Sequence, residues 1–127
     1  MTTKNDPKSV ALAYLDAMTR KDFDAFRALL SPGVVFTGPA TMLEGAAAVS
    51  AAYQRLSAML VRNEPKKIFV EGDEACVIYD FVTDTSVGAV PTVEWLTLED
   101  GKVRSIFLLT DHVRWPAALS ELTRRSP

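Results

Sequence analysis

Apolar positions recur first at helical and then at strand spacing along this chain, and the change of period falls near residue 67. Val10, Tyr14, Ala17 and Met18 share one face of a helix predicted over about residues 7–20, with Asp6 as N-cap and Pro7 at the first helical position. Asp22 caps a second, shorter helix whose stripe is Phe23, Phe26, Leu29 and Leu30, and Ser31-Pro32-Gly33 stops it. The run VVFTGP at 34–39 reads as a short strand between turn residues. A third helix is expected after Gly45, with Val49, Ala52, Leu56, Met59 and Leu60 on one face, ending before Asn63-Glu64-Pro65.

From Lys67 the pattern alternates. The runs KIFVEG, ACVIYDFVTDT, VPTVEWLTLE and KVRSIFLLTDHV are separated by Gly72-Asp73, Gly88 and Asp100-Gly101, which are hairpin signals, so an antiparallel meander is expected. Helices first and strands afterwards predict an α+β domain with helices covering one face of a curved sheet. The last residues read as a short helical turn and a tail, which puts the expected core at about 7–119 of a single domain.

Period two assigns faces. Val77, Tyr79, Phe81 and Thr83 share one side of their strand and Cys76, Ile78, Asp80 and Val82 the other; Glu94 travels with Leu96 and Leu98, and Ile106 with Leu108 and Thr110. Glu94 therefore poses the central question. Facing water it means little, but facing the core it must be paired or give up its charge, because an isolated buried carboxylate is too costly to keep.

Composition narrows the classes. A chain of 127 residues, 48% hydrophobic and 24% charged, has enough apolar material for its own core and lies outside the disordered class. A net charge of −2 gives no electrostatic basis for binding nucleic acid or an anionic membrane. Cys76 is the only cysteine, so neither an intrachain disulfide nor a cysteine-based metal site is expected, and a reducing cytoplasm is the natural setting. The first ten residues lack the apolar run of a secretory leader, and no stretch reaches membrane-spanning length.

The order of elements, together with AYLDAMTRKDFDAFRALLSPGVVFTGP, LEGAAAVSAAYQRL and VEWLTLEDGKVRSIFLLTD, resembles the nuclear transport factor 2-like superfamily and, within it, the SnoaL-like and ketosteroid isomerase-like branch, over about residues 10–119. The resemblance implies a cystatin-like, cone-shaped α+β barrel in which a curved, mainly antiparallel sheet wraps the N-terminal helices and leaves a pocket at its open end. It implies a homodimer through the outer sheet face, where Trp95 is expected, a small apolar ligand, and no cofactor. Its members range from isomerases, polyketide cyclases and dehydratases to plain binding modules, so the fold alone does not choose among them.

Residue by residue, the resemblance puts Tyr14 and Glu94 at the positions of the isomerase's two oxyanion donors, a tyrosine and a carboxylic acid kept neutral by an apolar site. It implies a pocket lined by Met18, Phe36, Tyr53, Leu56, Tyr79, Phe81, Leu96, Ile106, Leu108 and Thr110. The isomerase's catalytic base matches Gly38, which has no side chain to take a proton, so true ketosteroid isomerase activity is not expected. Asp111 and His112, at the end of the last strand, are the substitute candidates for the base. The related limonene epoxide hydrolase arrangement is disfavoured by Leu108, where a carboxylate is expected, and by Arg104, which has no evident carboxylate pair. Two functions stand side by side: a cofactor-independent isomerase, cyclase or dehydratase acting on a carbonyl or phenolic compound, and a non-catalytic ligand-binding or dimeric interaction module.

Overall fold

The computed structural model describes residues 6–125. Asp6 starts α1 (Pro7–Arg20) by accepting from the Ser9 amide at 2.7 Å, and Asp22 starts α2 (Phe23–Ala28) by accepting from the Ala25 amide at 3.1 Å. Lys21 joins them in a left-handed conformation, φ 58°, its amide closing back on Ala17 and Met18. β1 (Leu30–Thr37), β2 (Met42–Glu44) and α3 (Ala46–Leu56) follow, and a single 3-10 turn (Ser57–Met59) leads into β3 (Leu60–Glu71). β4 (Glu74–Thr83), β5 (Ala89–Glu99) and β6 (Lys102–Thr110) complete the sheet, and α4 (Arg114–Arg125) closes the described chain.

The strands lie in the order β2-β1-β6-β5-β4-β3, and every pairing is antiparallel except β1 with β6. The sheet is curved but open, which corrects the expected barrel to a half-wrapped sheet: β2 and β3 form its two edges and do not pair among the described residues. Closure needs a strand at each edge long enough to continue the ladder, and β2 has three residues. Of the described helices, none is long and apolar enough to cross a membrane.

Three boundaries differ from the sequence expectation. β1 begins at Leu30 rather than Val34, because its parallel pairing with β6 reaches back to Val103 and the register irregularity between Leu30 and Val35 absorbs Pro32-Gly33. β3 begins at Leu60, where helix was expected; its ladder with β4 overrides the helical spacing, and Pro65 sits at a register shift that removes the need for its missing amide hydrogen. α4 is a full helix rather than a turn. Trp115 packs edge-on to Phe81 at 5.6 Å, Ala118 and Leu122 are buried, and polar ties from Glu121 to Ser86 and from Arg125 to Asp84 hold the helix against the β4–β5 connection.

Alternation on β4 and β5 is regular, so Ala75, Val77, Tyr79 and Phe81, and Val90, Thr92, Glu94, Leu96 and Leu98, all turn toward the helices. On β6 the pairing skips Arg104, since Leu98 faces Val103 and Thr97 faces Ser105. That extra residue lets both Val103 and Ile106 point inward despite their odd separation. Phe26 closes the core from α2, fully buried, with its ring 4.9 Å from Tyr14 and 5.0 Å from Tyr53.

Because Phe26 fills the space between two tyrosines on different helices, Phe26→Ala is expected to destabilise the fold by about 3–5 kcal/mol, read as a lower urea midpoint at unchanged slope. A loss below about 1 kcal/mol would show that the helices collapse onto the space and do not depend on this ring.

Candidate functional site

Glu94 lies in the middle of β5 and is 0% exposed. Its strand neighbours are Val77 on β4 and Leu108 on β6, neither of which offers a hydrogen bond. Donors come instead from farther away. Tyr14 from α1 reaches Oε1 at 2.7 Å, Tyr53 from α3 reaches the same oxygen at 2.8 Å, and Tyr79 from β4 makes a short hydrogen bond to Oε2. The Tyr14 and Tyr53 hydroxyl oxygens are themselves 2.8 Å apart. The chain has three tyrosines, and all of them end at this one carboxyl group.

Counting hydrogens bears on the protonation state. Four O···O contacts require four hydrogens, and three tyrosines bring three. Tyr53 and Tyr79 donate to Oε1 and Oε2, the single Tyr14 hydrogen serves either Oε1 or Tyr53, and a proton on Glu94 would supply the missing hydrogen. Burial acts in the same direction, raising the Glu94 pKa above its ordinary 4.5 against the opposing pull of the three tyrosine hydrogen bonds. Burial and the nearby Glu94 also hold all three tyrosines well above 10, so they remain hydroxyls.

Beside this cluster opens a cavity of about 950 Å³. Phe36 and Leu43 wall it from β1 and β2, Tyr53, Arg55 and Leu56 from α3, Tyr79 and Phe81 from β4, Thr92 from β5, Leu108 and Thr110 from β6, and Trp115, Pro116 and Leu119 from α4. Of the residues expected to line a pocket, Phe36, Tyr53, Leu56, Tyr79, Phe81, Leu108 and Thr110 do so. Met18, Leu96 and Ile106 are buried in the core and do not form part of the wall. Tyr14 and Glu94 are likewise absent from the wall. Tyr53 and Tyr79 stand between them and the cavity.

The position of the absent base is occupied as well as empty. A Cβ built on Gly38 would meet Cε1 of Phe36 at 2.9 Å and Cζ at 3.1 Å, so the Phe36 ring lies where a side chain at residue 38 would begin. Asp111 and His112 both border the cavity, at its outer end. Asp111 is engaged as the cap of α4, its Oδ1 accepting from the Val113 and Arg114 amides at 2.8 Å each, and those bonds hold its pKa below the ordinary carboxylate value. A carboxylate stabilised in this way is a poor proton acceptor. His112 is exposed and enters no side-chain hydrogen bond among the described residues. No group of His, Cys, Asp and Glu among the described residues is arranged to hold a metal ion.

Sequence reasoning placed Tyr53 and Tyr79 on the wall but not at the carboxyl group, and it missed Arg55 and Leu119. The signal for the tyrosines was available, since three inward-facing tyrosines and one inward-facing acid in a single core have little choice but to meet. No such signal existed for α4, whose wall residues come from a segment read as a turn.

Comparison with known proteins agrees with this architecture. The family model of the SnoaL-like domain matches residues 11–106. A crystal structure of a protein from Kribbella flavida is 28% identical, with a TM-score of 0.82, over 96% of this chain and 99% of that one. An NTF2-like protein of unknown function from Cytophaga hutchinsonii is 22% identical, with a TM-score of 0.76, over 94% and 99%. A provisionally assigned ketosteroid isomerase from Kribbella flavida is 19% identical, with a TM-score of 0.71, over 84% and 78%. At those last two identities the likeness is one of fold. No match was found among curated proteins.

The raised Glu94 pKa has two measurable consequences. Carboxyl-carbon NMR, assigned with Glu94→Gln, should titrate Glu94 above 4.5, and Tyr79→Phe should move it higher still by removing a bond that favours the charged form. Because the native pKa is raised, the stability owed to this group is complete below pH 4.5 and declines as pH rises through the native value. The stability of the parent relative to Glu94→Gln should therefore fall with rising pH across that window. A difference that does not change with pH would mean an unperturbed carboxylate.

Proposed function

Since the chain belongs to the SnoaL-like domain family, we propose that its cavity binds a small, largely apolar phenolic or carbonyl compound, with an O–H group preferred to a bare carbonyl. The observation that carries this reading is the junction of an apolar-walled space with the edge of a closed hydrogen-bond cluster. A volume of about 950 Å³ is at the upper end of ordinary small-molecule sites. Most of its wall is aromatic or aliphatic, so the bulk of a ligand gains by leaving water there.

The preference for O–H follows from hydrogen-bond capacity. Every hydrogen of the cluster is already committed among Tyr14, Tyr53, Tyr79 and Glu94, while the Tyr79 oxygen gives one hydrogen and accepts none among the described residues. A phenol or enol can donate to that oxygen without disturbing the cluster. A carbonyl must take a hydrogen away from Glu94 or from a neighbouring tyrosine, and the contact it replaces is then lost.

A second reading, cofactor-independent isomerisation or cyclisation, is favoured by one observation: His112 borders the same cavity and no described side chain engages it. With Gly38 covered by Phe36 and Asp111 committed to α4, His112 is the group left to move a proton. Chromatography of ligand recovered after long incubation separates the two readings. Unchanged ligand supports binding alone, and a product that disappears in His112→Ala supports catalysis.

The outer sheet face supports a homodimer. Ile78 faces Val93 and Val93 faces Leu109, while Cys76 faces Trp95 and Trp95 faces Phe107, so two adjacent cross-strand rows form one apolar surface. Trp95, Phe107 and Leu109 are 47%, 41% and 50% exposed, and a patch of this kind is characteristic of protein contacts.

Two outcomes test these proposals. By calorimetry, 1-naphthol should bind about 5–10-fold tighter than 1-methoxynaphthalene, the worth of one donated hydrogen bond, and Leu56→Trp, which narrows the cavity beside Tyr53, should weaken both. Equal affinities would remove the preference for O–H, and affinities indifferent to Leu56→Trp would place the ligand elsewhere. Sedimentation should give a dimer for the parent and a monomer for Trp95→Glu; a monomeric parent would leave the outer face without this partner.

A further inference from the structure

The mouth of the cavity carries a cation that the cluster at its floor does not use. Arg55 sits in the last turn of α3, is exposed, and forms part of the cavity wall with Ala51, Ala52 and Leu56 of the same helix. Among the described residues its guanidinium makes no ion pair and no side-chain hydrogen bond. From the β6–α4 junction, Asp111, His112 and Trp115 also reach the wall. The one carboxylate there, Asp111, directs Oδ1 at the Val113 and Arg114 amides rather than at Arg55. The charges at the opening are therefore an uncommitted guanidinium and an imidazole facing a carboxylate already held by a helix N-terminus.

We propose that the natural ligand is an amphipathic acid: its apolar body fills the cavity, and its carboxylate emerges at the mouth onto Arg55, with a His112 N–H as a second donor. The inference rests on the cavity-binding reading and adds the charge of the ligand to it. A guanidinium is suited to this task because its planar fork meets both carboxylate oxygens, and at a partly apolar rim such a bond is worth more than in open water. The arrangement also orients the ligand. The acid stays at the wet end, so the opposite end of the molecule is the part that approaches Tyr53 and Tyr79.

The test uses the full chain and two probes with the same naphthalene body, 4-(1-naphthyl)butanoate and 4-(1-naphthyl)butan-1-ol, by calorimetry at low and high sodium chloride. The acid should bind about tenfold tighter than the alcohol at low salt, with the advantage shrinking at high salt while the alcohol is unaffected. Arg55→Gln should bring the acid to within about twofold of the alcohol and leave the alcohol unchanged, and Arg55→Lys should fall between, since a point charge replaces a fork. Arg55 is exposed, so an unchanged urea midpoint should accompany both variants. Equal affinities in the parent, or an acid indifferent to Arg55→Gln, overturn the inference while leaving cavity binding intact. Failure of both probes to bind overturns the cavity reading together with it.

Discussion

A buried carboxyl group that must be hydrogen-bonded on both oxygens organises this protein. Glu94 has no polar neighbour on its own sheet apart from Tyr79, so its remaining partners have to come from the helices, and α1 and α3 each supply a tyrosine hydroxyl. The same carboxyl thus binds two helices to two strands at one point. Apolar packing sets the distance between the layers, while the hydrogen bonds specify which residues meet, because a misplaced layer leaves buried hydroxyls without partners. Phe26, stacked against Tyr14 and Tyr53, holds the two helical donors at the needed separation.

This constraint also shapes the cavity. Drawing Tyr53 and Tyr79 onto Glu94 commits their hydroxyl hydrogens to the cluster while both residues still line the cavity. The Phe36 ring lies over Gly38, and Trp115 of α4 adds an aromatic wall packed against Phe81. The outcome is a site with a neutral, internally satisfied floor, apolar sides and charge confined to the mouth. Such a distribution suits recognition of a mainly apolar molecule whose polar groups lie at its two ends. It offers little to a reaction that needs a strong base deep in the pocket.

Membership of the SnoaL-like domain family accounts for the scaffold, and the curved sheet over helices is shared with NTF2-like structures of low identity. Function within such a scaffold is decided by a few wall residues. Here the site includes Gly38 under the Phe36 ring, Glu94 behind Tyr53 and Tyr79, and an exposed Arg55 on the wall.

The sequence by itself determined the order of the first three helices, the short strand and the meander, the α+β class, and that Glu94 shares a face with Leu96 and Leu98, because each of these depends on local periodicity: 3.6 for α1, with Tyr14 among Val10 and Met18, and 2 for β4 and β5. It did not determine the start of β3 at Leu60, the extension of β1 back to Leu30 or the openness of the sheet, since these follow from ladders between segments far apart in the chain, which override local propensity. Nor did it disclose the fourfold contact of Tyr14, Tyr53, Tyr79 and Glu94 or the pairing of Arg55 with the cavity mouth. Alternation says which side of an element a residue faces, but the distance between two hydroxyls on different elements is fixed only when the layers pack, and the chemistry of this site depends on those distances.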